Sequence, residues 1–149
     1  MFDSIPYPRD TGDWMSEQLA QVDALLAFMD ETGGDHRVLI GDLNTGPLIE
    51  AQGIVAEAFD SYAALKDAGL ADPYVDLDGR CTFCASNPIL AAQGEDTDVL
   101  IDHVMVSGLE ATAATRILDQ EVAAESCSAD LSTSALSDHY GIEVTLRPE

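Results

Sequence analysis

The spacing of apolar residues predicts one long helix early in the chain, from about Asp13 or Trp14 to Glu31. Its apolar residues recur at helical intervals and share one face, and they are Met15, Leu19, Val22, Leu26 and Met29. Asp13 is suited to cap the first turn, and the Gly33-Gly34 pair is suited to end the last one. The stripe predicts that this helix packs against a core.

Apolar runs and alternating patterns predict four strands farther along the chain. We expect them near residues 37–41, 99–106, 111–118 and 140–146. The last of these alternates apolar and polar residues, which is typical of a strand with one buried face. A second, shorter helix is predicted over residues 60–68, where Tyr62, Leu65 and Ala68 precede Gly69.

The remaining segments are predicted to be irregular. Residues 1–12 and 120–136 are expected to be loops, and so is the polar segment 85–98. Segment 72–79 carries turn signals, and its acidic end resembles part of a calcium loop without the required downstream glutamate. We interpret that end as an acidic turn. With no repeat and no linker, helices mixed with strands predict a single α/β domain over residues 1–149.

Charge is the unusual property of the composition. The 149 residues include 28 acids and 6 lysines or arginines, which gives a net charge of −22, while 46% of the residues are apolar. Such a chain can bury a core, but it repels nucleic acid and anionic membranes unless cations intervene. Adaptation to salty, halophilic surroundings and a cation-binding function both fit these acids. No apolar run is long enough to span a membrane, and the residues after Met1 have no signal-peptide pattern.

Three cysteines leave several possibilities open. Cys81 and Cys84 could form a redox pair, a disulfide or half of a zinc site. A zinc site would need Cys127 and either His103 or His36 as further ligands, and no second paired motif supports it. A disulfide from Cys127 to Cys81 or Cys84 is the preferred expectation, and it would suit an exported protein.

Polar groups at the ends of predicted strands are the candidates for chemistry. Asp42 and Asn44 follow the first strand two residues apart, so they can point the same way, although Asp and Asn are also common in turns. Asp102 lies inside an apolar strand, where a buried acid needs a partner, and His139 is the best candidate. The alternative is that Asp102 faces solvent on an edge strand. We expect His103, on the opposite face, to be structural.

Asp138 and His139 are neighbours, so their side chains diverge in an extended chain. One can then reach a hard cation while the other reaches a phosphate. Carboxylates suit Mg²⁺, which commonly retains waters and takes substrate phosphate oxygens as further ligands. These residues together predict a metal-dependent phosphoester site.

At this point the chain resembles the endonuclease/exonuclease/phosphatase superfamily, which has the DNase I-like fold. Gly41-Asp42-Leu43-Asn44 is similar to its GDxN motif, Ile101-Asp102-His103-Val104 to its internal IDH-type strand, and Ser137-Asp138-His139-Tyr140 to its terminal SDH motif. The three motifs occur in the expected order over residues 13–147. The segment Cys81-Thr82-Phe83-Cys84 is also similar to secreted bacterial members, which implies a secreted or periplasmic parent protein.

The resemblance implies a role for each residue. Asp42 would orient or activate the attacking water, Asn44 would hold the scissile phosphate, and Asp102 would orient His139. His139 would stabilise the phosphorane-like transition state. Asp138, with Asp42, would hold Mg²⁺, or alternatively Mn²⁺ or Ca²⁺. Family substrates are phosphodiesters or phosphomonoesters in small molecules, lipid headgroups and nucleic acids.

One departure from the family pattern is large. The family's N-terminal half supplies an asparagine, a metal-binding glutamate and a second histidine, and we find no counterpart before the first long helix. The resemblance therefore implies that residues 1–149 are the C-terminal half of a four-layer α/β/β/α sandwich. This half would have one mainly antiparallel sheet with helices on one face, and pairing of two copies into a homodimer would complete it. A fragment missing its other half would show the same pattern.

Two functional alternatives remain beside the phosphoesterase. One is a catalytically inactive, self-associating fragment that serves as a binding module. The other is hydrolysis of non-phosphate esters by the Asp–His pair, which the lack of a G-x-S-x-G motif disfavours.

Overall fold

Four α-helices and six strands are present in the computed structural model, which describes residues 12–123 and 133–148. In chain order the elements are α1 (Trp14–Thr32), β1 (Arg37–Asp42), a 3₁₀ helix (Glu50–Gln52), α2 (Phe59–Asp67), α3 (Pro73–Leu77), α4 (Pro88–Gln93), β2 (Asp102–Ser107), β3 (Leu109–Ile117), β4 (Val122–Ala123), β5 (Thr133–Ser134) and β6 (Gly141–Pro148). The loop predicted for residues 1–12 lies almost entirely outside the described residues. The loop predicted for residues 120–136 lies outside them in its middle, and its described ends instead pair as β4 and β5. None of the helices described is both long enough and apolar enough to cross a bilayer.

The first helix confirms most of its sequence pattern. The Asp13 carboxylate caps α1 by accepting a backbone N–H of the first turn at 2.9 Å, and Gly33 follows the last turn with a φ of 67°. Val22 is buried and Leu26 packs beside it. The prediction is wrong for Met15, which is 59% exposed. Met15 lies in the first turn and borders a surface groove formed with α2, away from the core.

Strands β1 and β2 form an antiparallel ladder that carries two of the candidate site residues. Leu39 pairs with Met105 on the face that packs against α1 and α2. Asp42 pairs with Asp102 at the last position of the ladder. Residues paired across an antiparallel ladder project to the same face, so both carboxylates leave one end of the ladder together.

The strands form three separate two-stranded ladders rather than the single sheet that we expected. These are β1–β2, β3–β6 and β4–β5, each antiparallel. One cause is visible at the outer edge of β2, where Val106 exchanges two backbone hydrogen bonds with Ala71 at 2.7 and 2.8 Å. A bridge to the segment before α3 therefore occupies the edge that another strand would need. The β3–β6 ladder instead packs Ile142 and Val144 against the core around Tyr74.

Two helices were missed because their first residues were interpreted as turns or loops. Asp72 caps α3, and Asn87 caps α4 by accepting the N–H of Ile89 at 3.0 Å. Each cap is followed by proline at the first helical position. Asx-Pro is common in turns, but it is equally the start of a helix, since proline lacks only an N–H that the first turn leaves unbonded.

Gly46 lets the loop after β1 pass close to the backbone of Leu100, just before β2. A Cβ at this position would lie 1.8 Å from the carbonyl oxygen of Leu100, so the loop after β1 can reach the core only with glycine there. The same residue exchanges backbone hydrogen bonds with Glu57. The segment that contains Asn44 is thereby fixed against β2.

A partly buried carboxylate, that of Asp78, connects α3 to β3. Asp78 accepts two hydrogen bonds from the Arg80 guanidinium, at 2.6 and 2.7 Å, and one from the backbone N–H of Arg116 at 3.1 Å. The hydrogen bonds from Arg80 are the main reason that the pKa of Asp78 is lowered to about 2. Its ionised form is therefore stabilised by folding.

We predict that Asp78→Asn lowers the free energy of unfolding at pH 7 by about 1–2 kcal/mol. The folded-state pKa lies below the unfolded value, so this stabilisation is present above about pH 4 and is lost as the pH falls through about 2. Urea unfolding of both proteins at pH 7 and at decreasing pH measures the effect, and the difference between them should shrink in acid.

Asp30→Asn is the matched control. Asp30 also contacts an arginine, Arg37, at 2.8 Å, but its side chain is 77% exposed. An exposed pair contributes little, so this variant should change the free energy of unfolding by less than about 0.5 kcal/mol. Equal losses in the two variants would contradict the prediction.

Candidate active site

Four predicted site residues line one cleft, and the fifth lies behind it. The cleft has a volume of about 390 Å³, and Asp42, Asn44, Asp138 and His139 are among its walls. They come from the end of β1 and from the segment before β6, which are distant in sequence. Asp102 does not line the cleft but contacts His139 from β2.

The Asp102–His139 pair has the geometry of an oriented imidazole. Nδ1 of His139 donates to a carboxylate oxygen of Asp102 at 2.8 Å, and both side chains are largely buried. This hydrogen bond fixes the tautomer and leaves Nε2 as the nitrogen that can reach a ligand. The hydrogen bond to Asp102 is also the main reason that the pKa of His139 is raised, with the charges of Asp42 and Asp138 adding to the effect against desolvation.

Phe83 packs against this histidine and was not predicted. Its ring meets the His139 ring edge to face, with centroids 5.1 Å apart and planes inclined by 64°. The backbones of the two residues also form an isolated β-bridge. Phe83 therefore restricts the plane of the imidazole. The only signal for it in the sequence was an aromatic residue between two cysteines.

The loop after β1 is held in place by its own backbone and by α1. The Asp42 carboxylate accepts the N–H of Asn44 at 2.9 Å, and Asn44 has a φ of 48°, which asparagine adopts more readily than most residues. The Gln18 amide donates to the carbonyl oxygens of Leu43 and Asn44 at 2.8 and 2.6 Å. Gln18 is buried and lies one helical turn before Val22, on the apolar face of α1. A polar residue on that face was the signal for a buried hydrogen bond, and it was missed in the sequence.

His103 is structural, as expected. Both its side chain and that of Asp72 are completely buried, and its Nδ1 lies 2.7 Å from Asp72. Its Nε2 lies 2.7 Å from the carbonyl oxygen of Thr45, which can only accept, so Nε2 carries a proton. His103 thus connects β2 to the loop that follows Asn44 and is not directed into the cleft.

Asn87 supports the segment that carries Asp138. Its amide nitrogen donates to the carbonyl oxygens of Ser137 and Asp138 at 2.9 and 3.2 Å, and the side chain is completely buried. Asn87 was placed in a surface loop by its polar surroundings. Its position directly before a proline was the signal for a helix cap and hence for an ordered side chain.

The cysteine expectation is corrected by the structure. Cys81 and Cys84 form a disulfide with each other, so neither pairs with Cys127, which lies outside the described residues. The two sulfurs are therefore not available to a zinc ion, and His103 is already bonded to Asp72. Two cysteines three residues apart can form a disulfide with each other because the backbone between them can turn tightly enough, which here places their Cα atoms 5.5 Å apart.

The donor set for a metal is oxygen-rich but incomplete. Asp42 and Asp138 supply carboxylates to the cleft, which is the donor chemistry that Mg²⁺ prefers. Within residues 12–123 and 133–148, however, no three histidine, cysteine or acidic side chains come together as a metal-binding group. The acids present fit one or two ligands of a hydrated Mg²⁺ and not an enclosed site.

The cleft is strongly acidic. Glu57 and Glu95 lie on its wall together with Asp42 and Asp138, and among the described lining residues only His139 can carry positive charge. An anionic ligand would therefore meet net repulsion unless a cation accompanied it.

Comparison with known proteins identifies the fold. No protein-family model matches the chain, and no curated protein matches it. An endonuclease/exonuclease/phosphatase family protein from Bacteroides thetaiotaomicron superposes on 93% of the chain with a TM-score of 0.61 at 20% identity. A 3'-5' exonuclease from Neisseria meningitidis superposes on 87% with a TM-score of 0.51 at 17% identity.

The match covers only part of each solved structure. The chain spans about half of their lengths, 46% of the first and 52% of the second. At these identities the comparison concerns the fold and not the activity. The described part of this protein has the fold of endonuclease/exonuclease/phosphatase proteins.

Proposed function

We propose that this protein hydrolyses phosphate esters, either diesters or monoesters, with the help of a divalent cation. The observation that carries the proposal is the Asp102–His139 pair, whose imidazole lines the same cleft as Asp42 and Asn44. Its fold is that of a phosphoesterase-type protein. The whole proteins named above are about twice as long, so their activities support the proposal without establishing it.

Asp42 acts on the attacking water in this proposal. One carboxylate oxygen is engaged by the N–H of Asn44, which fixes the group while the second oxygen can accept a proton from water. The water oxygen bonds to phosphorus, the ester P–O bond breaks, and the leaving oxygen takes a proton from solvent. Asn44, beside Asp42, holds a non-bridging phosphate oxygen through its amide.

His139 stabilises the charge that develops on the phosphoryl oxygens. Asp102 holds its Nδ1, so a protonated Nε2 can donate toward the cleft. The raised pKa keeps the imidazolium populated closer to neutral pH. A preoriented charged donor in a partly buried site stabilises a transition state more than mobile water does.

Asp138 and Asp42 would hold Mg²⁺, or alternatively Mn²⁺ or Ca²⁺. The ion supplies Lewis-acid stabilisation of phosphoryl charge when it is bound. It also supplies the positive charge that this acidic cleft lacks. Since Asp138 is positioned by the buried Asn87, its carboxylate can be presented to an ion without rearrangement of the backbone.

A small or lipid-like phosphoester is the favoured substrate over long duplex DNA. The whole chain carries a net charge of −22, which opposes binding of a polyanion along an extended surface. A single phosphate group presents far less charge and fits a cleft of about 390 Å³.

We infer further that the chain is half of a four-layer sandwich and that a second copy covers the outer face of β1. Val38 and Ile40 are 45% and 69% exposed on the same face as Asp42. Exposed apolar side chains on an edge strand favour association. Because the chain spans about half of its solved neighbours, a second copy would restore their size.

The first test is hydrolysis of a chromogenic phosphodiester by the purified protein, with Mg²⁺ or Mn²⁺ and with EDTA. We predict turnover that EDTA abolishes and that added metal restores. His139→Ala should lower kcat/KM by about 100- to 1,000-fold and Asp42→Asn by about 100-fold or more, since each removes a group acting on the reacting atoms.

Asp67→Asn is the control, because this exposed acid on α2 lies outside the cleft. It should retain full activity. Wild-type activity in both site variants would exclude the assigned site. A folded protein without turnover on diesters or monoesters would favour the inactive binding module, and metal-independent cleavage of carboxylic esters would favour the other alternative.

The second prediction concerns pH. The proposed mechanism uses protonated His139, so kcat/KM should fall as the pH rises through the pKa of His139, which lies above its ordinary value. Asp102→Asn removes the main interaction that raises this pKa, so the basic limb should move to lower pH, toward about 6.5, and the rate should fall by about 100-fold. The measurement is a profile of kcat/KM from pH 5 to 9 for both proteins. A basic limb at the same pH in Asp102→Asn would contradict the assignment of this limb to His139.

The third prediction concerns assembly. Light scattering should give twice the 15.9 kDa mass of one chain, more clearly at about 1 M salt than at low salt, because screening weakens repulsion between acidic copies. Ile40→Ser should weaken the dimer, whereas Leu77→Ser, at an exposed apolar position on α3, should not. A monomer at every salt concentration would refute the homodimer.

A further inference from the structure

The disulfide loop of residues 81–84 contacts both members of the Asp102–His139 pair. Thr82 and Phe83 lie between Cys81 and Cys84, and the disulfide closes the loop around them. Thr82 bonds to the backbone of Asp102, while Phe83 packs on the ring of His139. No part of the proposed mechanism uses this loop, so its position calls for an explanation.

Thr82 joins the two segments that carry the pair. Its hydroxyl oxygen accepts the backbone N–H groups of Ile101 and Asp102, each at 3.2 Å. Its carbonyl oxygen accepts the backbone N–H of Tyr140 at 2.8 Å, one residue after His139. Thr82 is completely buried, so water cannot replace these bonds. One residue therefore sets the separation between the start of β2 and the start of β6.

Phe83 adds a contact to the imidazole itself. The backbone of Phe83 exchanges hydrogen bonds with Val99 at 3.1 and 2.9 Å, which fixes the loop beside the entry to β2. Its ring then meets the His139 ring edge to face. A shift of this loop would move the backbone support of Asp102 and the packing surface of His139 together.

The sulfurs are in a confined environment beside the Arg116 guanidinium, which is also paired with Asp119. Cys84 is completely buried and Cys81 nearly so. An Arg116 nitrogen lies 3.4 Å from the Cys84 sulfur, 3.7 Å from the Cys81 sulfur and 3.1 Å from the Cys81 carbonyl oxygen. The Arg116 guanidinium also stacks over the Tyr140 ring, with 4.6 Å from its central carbon to the ring centroid. A dithiol can attack at Cys81, the more exposed of the two residues, and the guanidinium stabilises the Cys84 thiolate that leaves.

We propose that the Cys81–Cys84 disulfide is a redox switch that keeps Thr82 in place as a positioning residue for Asp102 and His139. A small dithiol supplies two electrons and two protons: the S–S bond breaks, two thiols form, and the dithiol becomes a cyclic disulfide. After reduction the two sulfur atoms must move apart to van der Waals distance inside a closely packed cluster. The loop therefore moves, and Asp102 and His139 lose their alignment. The effect on turnover rests on the proposed function, but the effect on the loop does not.

The experiment compares oxidised and dithiol-reduced protein in a Cys127→Ser background, in which Cys81 and Cys84 are the remaining cysteines. Amide hydrogen exchange is read at Ile101, Asp102 and Tyr140, the three groups that donate to Thr82. Reduction should speed their exchange by at least about 10-fold, because their acceptor moves. Amides at the far end of the β3–β6 ladder, where Glu110 pairs with Arg147, serve as internal controls and should change little.

Turnover is measured on the same samples. Reduction should lower kcat by about 10- to 100-fold with a nearly constant KM, because misalignment of groups that act on the transition state affects kcat. Reoxidation should restore it. The double variant Cys81→Ser/Cys84→Ser should behave like the reduced protein and should not respond to the dithiol.

Variants at Thr82 separate positioning from general stability. Thr82→Val removes the hydroxyl acceptor and should reproduce the faster exchange at Ile101 and Asp102 and the lower kcat, whereas Thr82→Ser keeps the hydroxyl and should rescue both. The Tyr140 amide donates to the backbone carbonyl, which both variants keep. Thr112→Val is the control, at an exposed threonine on β3 whose hydroxyl bonds to a backbone carbonyl. Its exchange and its kcat should match those of the parent.

The outcomes distinguish the switch from the function. Redox-dependent exchange at the three amides in a protein without turnover would support the redox switch and reject the proposed function. Turnover that reduction leaves unchanged, with unchanged exchange at Ile101, Asp102 and Tyr140, would reject the switch and leave the proposed function intact. Thr82→Val with normal exchange would likewise reject Thr82 as the positioning residue.

Discussion

The register of the β1–β2 ladder is the constraint on which the site depends. Asp42 is paired with Asp102 at its last position, so two acids separated by sixty residues leave the same end on the same face. A shift of either strand by one residue would turn its apolar residue, Leu39 or Met105, out of the core and send its carboxylate to the opposite face. The hydrophobic packing that specifies this register therefore also specifies where the site forms. Stability and chemistry are coupled here through the alternation of two strands.

Buried polar side chains then adjust the loops that this ladder cannot reach. The Gln18 amide bonds to the backbone that follows Asp42, and His103 bonds to the carbonyl oxygen of Thr45. The Asn87 amide bonds to the backbone of Asp138. The Thr82 hydroxyl accepts the N–H of Asp102, and its backbone carbonyl accepts the N–H of Tyr140. Each is buried among apolar neighbours, where an unmade hydrogen bond is costly. The loops are consequently held at defined positions rather than left to the flexibility of the exposed surface. The candidate site is therefore rigid mainly because of residues that do not line it.

The strongly periodic elements and the contact between Asp102 and His139 could be predicted from the sequence. The helix from Trp14, the strands at β1, β2, β3 and β6, and the pairing of Asp102 with His139 all follow from local periodicity and from the need to pair a buried acid. The supporting residues could not be found in this way. Asn87 and Thr82 are ordinary polar residues in polar segments, and their importance arises only when distant backbone comes within reach. The disulfide partner of Cys81 could not be predicted either, because it depends on which cysteine lies close to it in the folded structure.

The acidic cleft and the exposed apolar face of β1 lie next to each other, because Asp42 belongs to both. Ile40 lies two residues before Asp42, and alternation places its exposed side chain on the face from which Asp42 projects. Any surface that covers Ile40 would therefore approach the cleft and exclude water beside it, which would strengthen the interactions of His139 with charge. It could also bring the additional oxygen ligands that Asp42 and Asp138 do not supply within the described residues. Burial of the apolar face and completion of a cation site would then be a single event, so association through β1 would bear directly on chemistry.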